Sequence, residues 1–211
     1  MGLSFVREGV FLAFSLFSAG VISQYFGLVG LTLILFGLGL FTLFFFRDPD
    51  VSVPQDEIII VSPASGVVDE VGRVMSPDGV EANMASILLS IFDVHVTRSP
   101  ITGAVEKIEY SKGKKIIAKS KRSMLENEQN TIKISGVKNV WVTQIAGIAA
   151  RRIVCWVRPK QNVLKGGKLG MIRFGSRTNI IMPLDVEVLV SRGQRVSAGE
   201  TPVGKTMVRG N

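Results

Sequence analysis

Residues 10–46 are overwhelmingly apolar, and from Glu57 onward the chain changes to short β-branched runs separated by Gly and Pro. That break constrains the fold more than any other feature, because one core cannot easily absorb both halves. Residues 27–46 carry no charge and, at about twenty residues, are long enough to cross a bilayer as a helix. Residues 10–22 form a shorter apolar run, with Ser23, Gln24 and Tyr25 between the two. The expected arrangement is a membrane anchor over residues 1–47, made of one or two hydrophobic helices. Two spans would form a hairpin with both ends on one face; a re-entrant or tilted hairpin would sit in one leaflet. A buried core helix is the bland alternative, and the uniformity of the second run speaks against it. The apolar block is too long for a signal peptide, and no small-residue cleavage site follows it. Arg7 and Arg47 flank the block, so the positive-inside rule places the remainder at the cell membrane's cytoplasmic side.

The chain has 211 residues, enough for one domain plus an anchor. Its 25 Lys and Arg against 17 Asp and Glu leave a net charge of +8, which calls for an anionic partner. The mean hydropathy of +0.34 points to lipid. Two basic runs, 112–115 and 119–122, lack interleaved aromatics or any nucleic-acid motif, so no nucleic acid partner is expected. A single cysteine, Cys155, excludes a disulfide framework and a cysteine metal cluster, and its apolar neighbours read as a core strand. A single histidine, His95, excludes a His-rich metal site and leaves imidazole chemistry one candidate.

Residues 48–211 read as a β-rich domain. Pro49 and Pro54 make an extended linker, and residues 58–61, 67–71, 86–92 and 104–110 read as strands between turn signals. Residues 118–128 and 145–151 are the places left for short helices or loops. Residues 191–204 have the cadence of lipoyl-like barrel modules. The fold class is therefore mainly β, a barrel or sandwich behind an N-terminal α-helical membrane hairpin.

Chemistry is concentrated at Gly170-Met171-Ile172-Arg173-Phe174-Gly175-Ser176-Arg177-Thr178-Asn179, a strand running into a tight Gly-Ser turn. A serine hydroxyl can attack the carbonyl of the residue before it and turn that amide into an ester, and glycine tolerates the close approach. Most Gly-Ser pairs are plain turns. A second phrase, Ile91-Phe92-Asp93-Val94-His95-Val96-Thr97-Arg98-Ser99-Pro100, puts the sole histidine among alternating valines, with its side chain opposite theirs.

These phrases resemble the phosphatidylserine decarboxylases, in particular their short bacterial and archaeal form. The entry Phe44-Phe45-Phe46-Arg47-Asp48-Pro49, the turn Ser62-Pro63-Ala64-Ser65-Gly66, the phrase Glu126-Asn127-Glu128-Gln129-Asn130 and the stretch from Gln144 to Trp156 share the resemblance. It runs from Phe44 to Gly204 in the family's order. It implies self-cleavage between Gly175 and Ser176 into a larger β chain and a small α chain. A pyruvoyl group made from Ser176 is then the electron sink, with no PLP and no metal. It implies decarboxylation of phosphatidylserine to phosphatidylethanolamine, with anionic phospholipid and membrane as partners. His95 would deprotonate Ser176 Oγ during processing or return a proton after loss of carbon dioxide. Arg151 and Arg152 become candidates for binding the headgroup. Ser65, Asp93, Arg98 and Asn127 become candidates for supporting the site. The chain departs from the family at two of these. Ser65 stands where the family has an aspartate, and Arg98 stands where the longer enzymes have a second histidine. A serine cannot balance imidazolium charge as a carboxylate does, which leaves Asp93 and Asp69 as possible substitutes. The same chemistry on an archaeal ether lipid, and a non-catalytic membrane-tethered lipoyl-like module, are the alternatives. Homo-oligomerisation is left open.

Overall fold

The computed structural model describes residues 2–114, 116–117, 120, 122–147, 153–172 and 176–207. The chain divides into two compact units, Met1–Asp50 and Val51–Asn211. In the first, β1 (Leu3–Phe5) leads into α1 (Arg7–Tyr25), a short turn, α2 (Val29–Phe45) and β2 (Arg47–Pro49). Leucine and alanine, which lose little side-chain freedom in a helix, and the absence of proline favour the two helices. They break at Gly27, whose φ of +73° suits glycine. β1 and β2 pair antiparallel and so tie the two ends of the hairpin together. The helices approach closely where Gly39 faces Phe17, because a Cβ on Gly39 would come within 2.4 Å of that ring. Only Gly39, Thr42 and Phe45 are buried on α2, while Leu33, Ile34, Leu38 and Leu40 lie exposed.

The hairpin expected from the sequence is present as a helical hairpin, but its second helix is shorter than the twenty-residue run. At 17 residues it extends about 26 Å, against the roughly 30 Å of a bilayer's hydrocarbon core. Among the described residues, no helix is long and apolar enough to cross a membrane.

The second unit is mainly β, as the sequence leads one to expect. Its elements are β3 (Ile59–Val61), β4 (Gly66–Met75), β5 (Glu81–Leu89), β6 (Val96–Arg98), β7 (Gly103–Ser111), the one-turn α3 (Ser123–Glu126), β8 (Gln129–Gly136) and β9 (Asn139–Ala146). There follow β10 (Ile153–Cys155), β11 (Asn162–Val163), β12 (Lys168–Ile172), β13 (Ser176–Pro183), β14 (Val186–Val188), β15 (Arg195–Val196) and β16 (Pro202–Thr206). Eight strands form one antiparallel sheet in the order β11-β7-β8-β9-β13-β5-β4-β15, and two three-stranded sheets, β10-β12-β6 and β14-β16-β3, accompany it. The long strands alternate in the expected way. Ile180 and Met182 of β13 join Ile87, Val142, Ile132 and Val68 in the main core, which also takes Leu169 of β12 and Val203 of β16. Ile181, between them, packs on the opposite side with Met84 and Trp141. The core therefore lies on one face of the large sheet and is closed by residues of the two small sheets. Cys155, partly buried against this core, donates its thiol towards the Val157 carbonyl at 3.6 Å, in keeping with a structural thiol.

Candidate active site

β13 sits in the middle of the large sheet, and Ser176 is its first residue, paired with Ala146 of β9 on one side and Leu89 of β5 on the other. The sequence suggests a strand running into a tight turn at Gly-Ser. In the structure Ser176 is instead fully buried at the start of a strand. By strand alternation it faces the same side as Thr178, Ile180 and Met182, toward the core. Its Oγ and the Oγ1 of Thr178 are buried and have no hydrogen-bond partner among the described residues. A buried hydroxyl without a partner calls for an explanation.

His95 precedes β6 and is fully buried. Its carbonyl accepts from the Ile172 N–H at 3.4 Å, and Ile172 packs on Ala146, the ladder partner of Ser176. These links bring His95 to the Ser176 end of β13. Its Nδ1 lies 2.8 Å from the Asp93 carbonyl oxygen. A carbonyl can only accept, so Nδ1 carries the proton and Nε2 keeps the ring's lone pair. That is the tautomer a general base needs.

The candidate carboxylates are placed otherwise than expected. Asp93 supports His95 with its backbone carbonyl, not its carboxylate. The carboxylate accepts from the Ser90 N–H at 2.8 Å and from Arg195 Nη1 at 2.7 Å. Burial alone would raise the Asp93 carboxyl, but hydrogen bonds from Ser90 and the nearby Arg195 guanidinium outweigh it and hold it below its ordinary value. Asp69 is engaged by Arg177, 2.7 Å away. Ser65 accepts from the Ala198 N–H at 3.0 Å, which fastens the loop before β16. A backbone carbonyl therefore orients the ring, where a triad would use a carboxylate.

Arg98 is buried and structural: its Nη1 donates to the Gly166 carbonyl at 2.9 Å, and its backbone N–H donates to the Pro63 carbonyl at 2.8 Å. This ties the turn containing Ser65 to β6. Asn127 does reach the site's border. Its Nδ2 donates to the Ala146 carbonyl at 2.7 Å and its Oδ1 accepts from the Ile116 N–H at 2.8 Å, fixing the end of β9 beside Ser176. Gly175, Arg151 and Arg152 lie outside the described residues. Among those described, no group of three or more His, Cys, Asp or Glu side chains could hold a metal.

Sequence reading missed the anchor on the other face of β13. Arg177 is fully buried; its Nη2 pairs with Asp69, and its Nη1 donates to Ser86 Oγ at 2.7 Å, which in turn donates to Asn179 Oδ1 at 2.7 Å. Arg177, the residue after Ser176, is thus fastened into the sheet. The alternation of Arg177 and Asn179 with Ser176 and Thr178 was the available signal; the partners, Asp69 and Ser86, were too distant in sequence to suggest themselves.

A family model described as phosphatidylserine decarboxylase matches residues 38–204. A phosphatidylserine decarboxylase proenzyme of Carboxydothermus hydrogenoformans is 47% identical over 182 residues, covering 83% of this chain and 84% of its own. One from Desulfotalea psychrophila is 41% identical over 205 residues, covering 94% and 95%. A provisionally named archaetidylserine decarboxylase proenzyme of Methanothermobacter thermautotrophicus is 42% identical over 205 residues, covering 90% and 92%. With the family model spanning most of the second unit and the relatives aligned along nearly their whole length, the chain belongs to the phosphatidylserine decarboxylase family.

Proposed function

We propose that the chain is a proenzyme that cuts itself between Gly175 and Ser176 and then decarboxylates phosphatidylserine to phosphatidylethanolamine. The observation that carries this is the buried Ser176 hydroxyl, without a hydrogen-bond partner among the described residues, at the head of the central strand, with the Nε2-basic histidine brought to the same end. In processing, His95 Nε2 takes the proton of Ser176 Oγ as the oxygen attacks the Gly175 carbonyl carbon. The peptide bond breaks and an ester replaces it. Loss of the proton on the Ser176 Cα then expels the Gly175 carboxylate. Water hydrolyses the resulting dehydroalanine, releasing ammonia and leaving a pyruvoyl group on Arg177.

The residues fit that group. A small side chain on the core face of a strand held by two neighbours leaves it immobile, and the Arg177–Asp69 pair anchors the residue that carries it. The pyruvoyl group supplies an electrophilic carbonyl that takes up the electron pair released with carbon dioxide. His95 Nε2, once protonated, is placed to return a proton to the substrate carbon.

The first unit supports a membrane location. Its outward surface is apolar along both helices and also at the tip, where Tyr25 and Phe26 are 87% and 71% exposed. A tip without charge has nothing to hold it in water on a far side, so the hairpin would dip tip-first into one leaflet with Arg7 and Arg47 at its base. The basic chain would then lie at the cytoplasmic face, where anionic headgroups concentrate the substrate. The residue 191–204 segment, with β15 and β16 joined by a tight Gly-containing loop, supports the lipoyl-like reading of the domain.

The test is intact mass under denaturing conditions, followed by release of carbon dioxide from phosphatidylserine vesicles. Two chains, the smaller with a blocked amino terminus, together with ethanolamine lipid as product, are expected. A single uncut chain without activity would overturn the reading. Turnover of an ether-linked serine lipid in preference to the ester would move the substrate to that named for the Methanothermobacter relative.

A further inference from the structure

Three buried polar side chains form a line through the core beneath the site. Asn130 Nδ2 donates to Gln144 Oε1 at 2.9 Å, and Gln144 Nε2 donates to Thr97 Oγ1 at 3.0 Å. None is more than 3% exposed. Gln144 stands on β9 opposite Thr178 of β13, two residues from Ala146, the partner of Ser176. Thr97 stands on β6, two residues after His95. The bond therefore joins the sheet that carries Ser176 to the strand that directly follows His95.

The surroundings do not otherwise ask for polarity. Ile87 lies opposite Thr178 on the other flank of β13, and Val142 and Ile132 occupy the next positions of the same face. Gly170 opposes Thr97 on β12, and a Cβ there would come to 3.2 Å from Gln144 Nε2 and 2.1 Å from the Val154 carbonyl oxygen. A residue without a side chain is what lets the amide reach across. β6 is three residues long, and its pairing with β12 slips register between Lys168 and Gly170. A strand so short, on an irregular ladder, is weakly fixed against sliding by its backbone bonds. A side-chain bond from the large sheet removes that freedom.

We propose that the Thr97–Gln144 hydrogen bond, with Asn130 fixing the amide's orientation, is a positioning clamp. It sets the approach of His95 Nε2 to Ser176 Oγ for self-cleavage. This rests on the assignment of Ser176 as nucleophile and His95 as base. Thr97 and Gln144 are positioning residues: they act through the strand that presents His95.

The hydroxyl and the methyl of Thr97 separate this role from simple packing. Thr97→Val keeps the shape and removes the acceptor; Thr97→Ser keeps the acceptor and removes the methyl. A clamp predicts that Thr97→Val slows self-cleavage about tenfold or more, since small misplacements are costly in proton transfer, while Thr97→Ser stays within about twofold of the parent. Gln144→Met, which breaks the same bond from the other side, should slow it comparably and serves if Thr97→Val does not fold. The rate is followed by denaturing mass spectrometry on full-length chain, with near-UV circular dichroism reporting folding. The clamp carries no charge, so the rate should fall without moving the pH midpoint of cleavage. Thr97→Val or Gln144→Met cleaving at the parental rate, or Thr97→Ser slower than Thr97→Val, overturns the clamp and leaves the function standing. Cleavage at the parental rate in His95→Ala overturns the base assignment and the clamp with it.

Discussion

The two faces of β13 are built on opposite rules. On the outer face Arg177 and Asn179 are enclosed in a network with Asp69 and Ser86. On the core face, one residue to either side, Ser176 and Thr178 keep buried hydroxyls that meet no partner among the described residues. Folding alone favours the first arrangement and penalises the second. The outer face is what stability asks of a strand, and the core face is what a reaction asks of it. One strand thus carries both the anchor and the hydroxyl proposed to react, out of register with each other by a single residue.

That contrast can be broken from either side. The largest effect is expected at Ser176→Ala, which should leave a single uncut chain by denaturing mass spectrometry, with decarboxylation lost entirely. The uncut variant is then the background for the stability tests. Asp69→Ala in it strands the buried Arg177 cation and should cost about 3 kcal/mol in urea unfolding. Replacing the pair together, Asp69→Leu with Arg177→Met, should recover most of that loss; failure to recover would mean that the outer face does more than hold. Thr178→Val should be neutral or stabilise by up to about 1 kcal/mol, because it removes a buried hydroxyl that has no partner among the described residues. A clear loss would show that the core face is satisfied after all. The smallest effect lies at the site's edge. The Asp93 carboxyl sits below its ordinary 3.8, so its contribution is present above that pH and is lost as pH falls through the folded value. The gap in urea midpoint between the uncut parent and its Asp93→Asn derivative should therefore narrow below about pH 4.

Much of this was legible in the residues. The helical hairpin and the mainly β domain follow from local patterns, and phrases a few residues long single out Ser176 and His95 as candidates. The rest depended on contacts that no local pattern encodes. Ser176 reads as a turn, yet it begins a strand because Leu89 and Ala146, far away in the chain, pair with it. At Asp93 residue type suggests a carboxylate beside the imidazole, but the chain's bend at 93–95 turns its backbone carbonyl to the ring. Ser65 and Arg98 drew attention by their places in motifs, and both turn out to fasten loops. Gln144 and Asn130 lay inside phrases that stood out, but their pairing with Thr97 appears only once β9 and β6 face each other. The apolar length of 27–46 overstated the helix because its first and last residues belong to turns.

The place of β13 between β9 and β5 has an outcome for the life of the molecule. A cut before Ser176, as proposed above, would release a segment that also supplies β14 and β16 to one small sheet and β15 to the edge of the large one. Neither product can depart without dismantling the common core, so cleavage changes covalent connectivity and leaves architecture alone. Unfolding after the cut is another matter. The two pieces would have to find each other again at a rate set by their concentration, and the proposed pyruvoyl group, once oxidised or reduced, could not be remade from a serine already consumed. The uncut chain carries the instructions for assembly, and the mature enzyme spends them: it is a structure reached once per molecule.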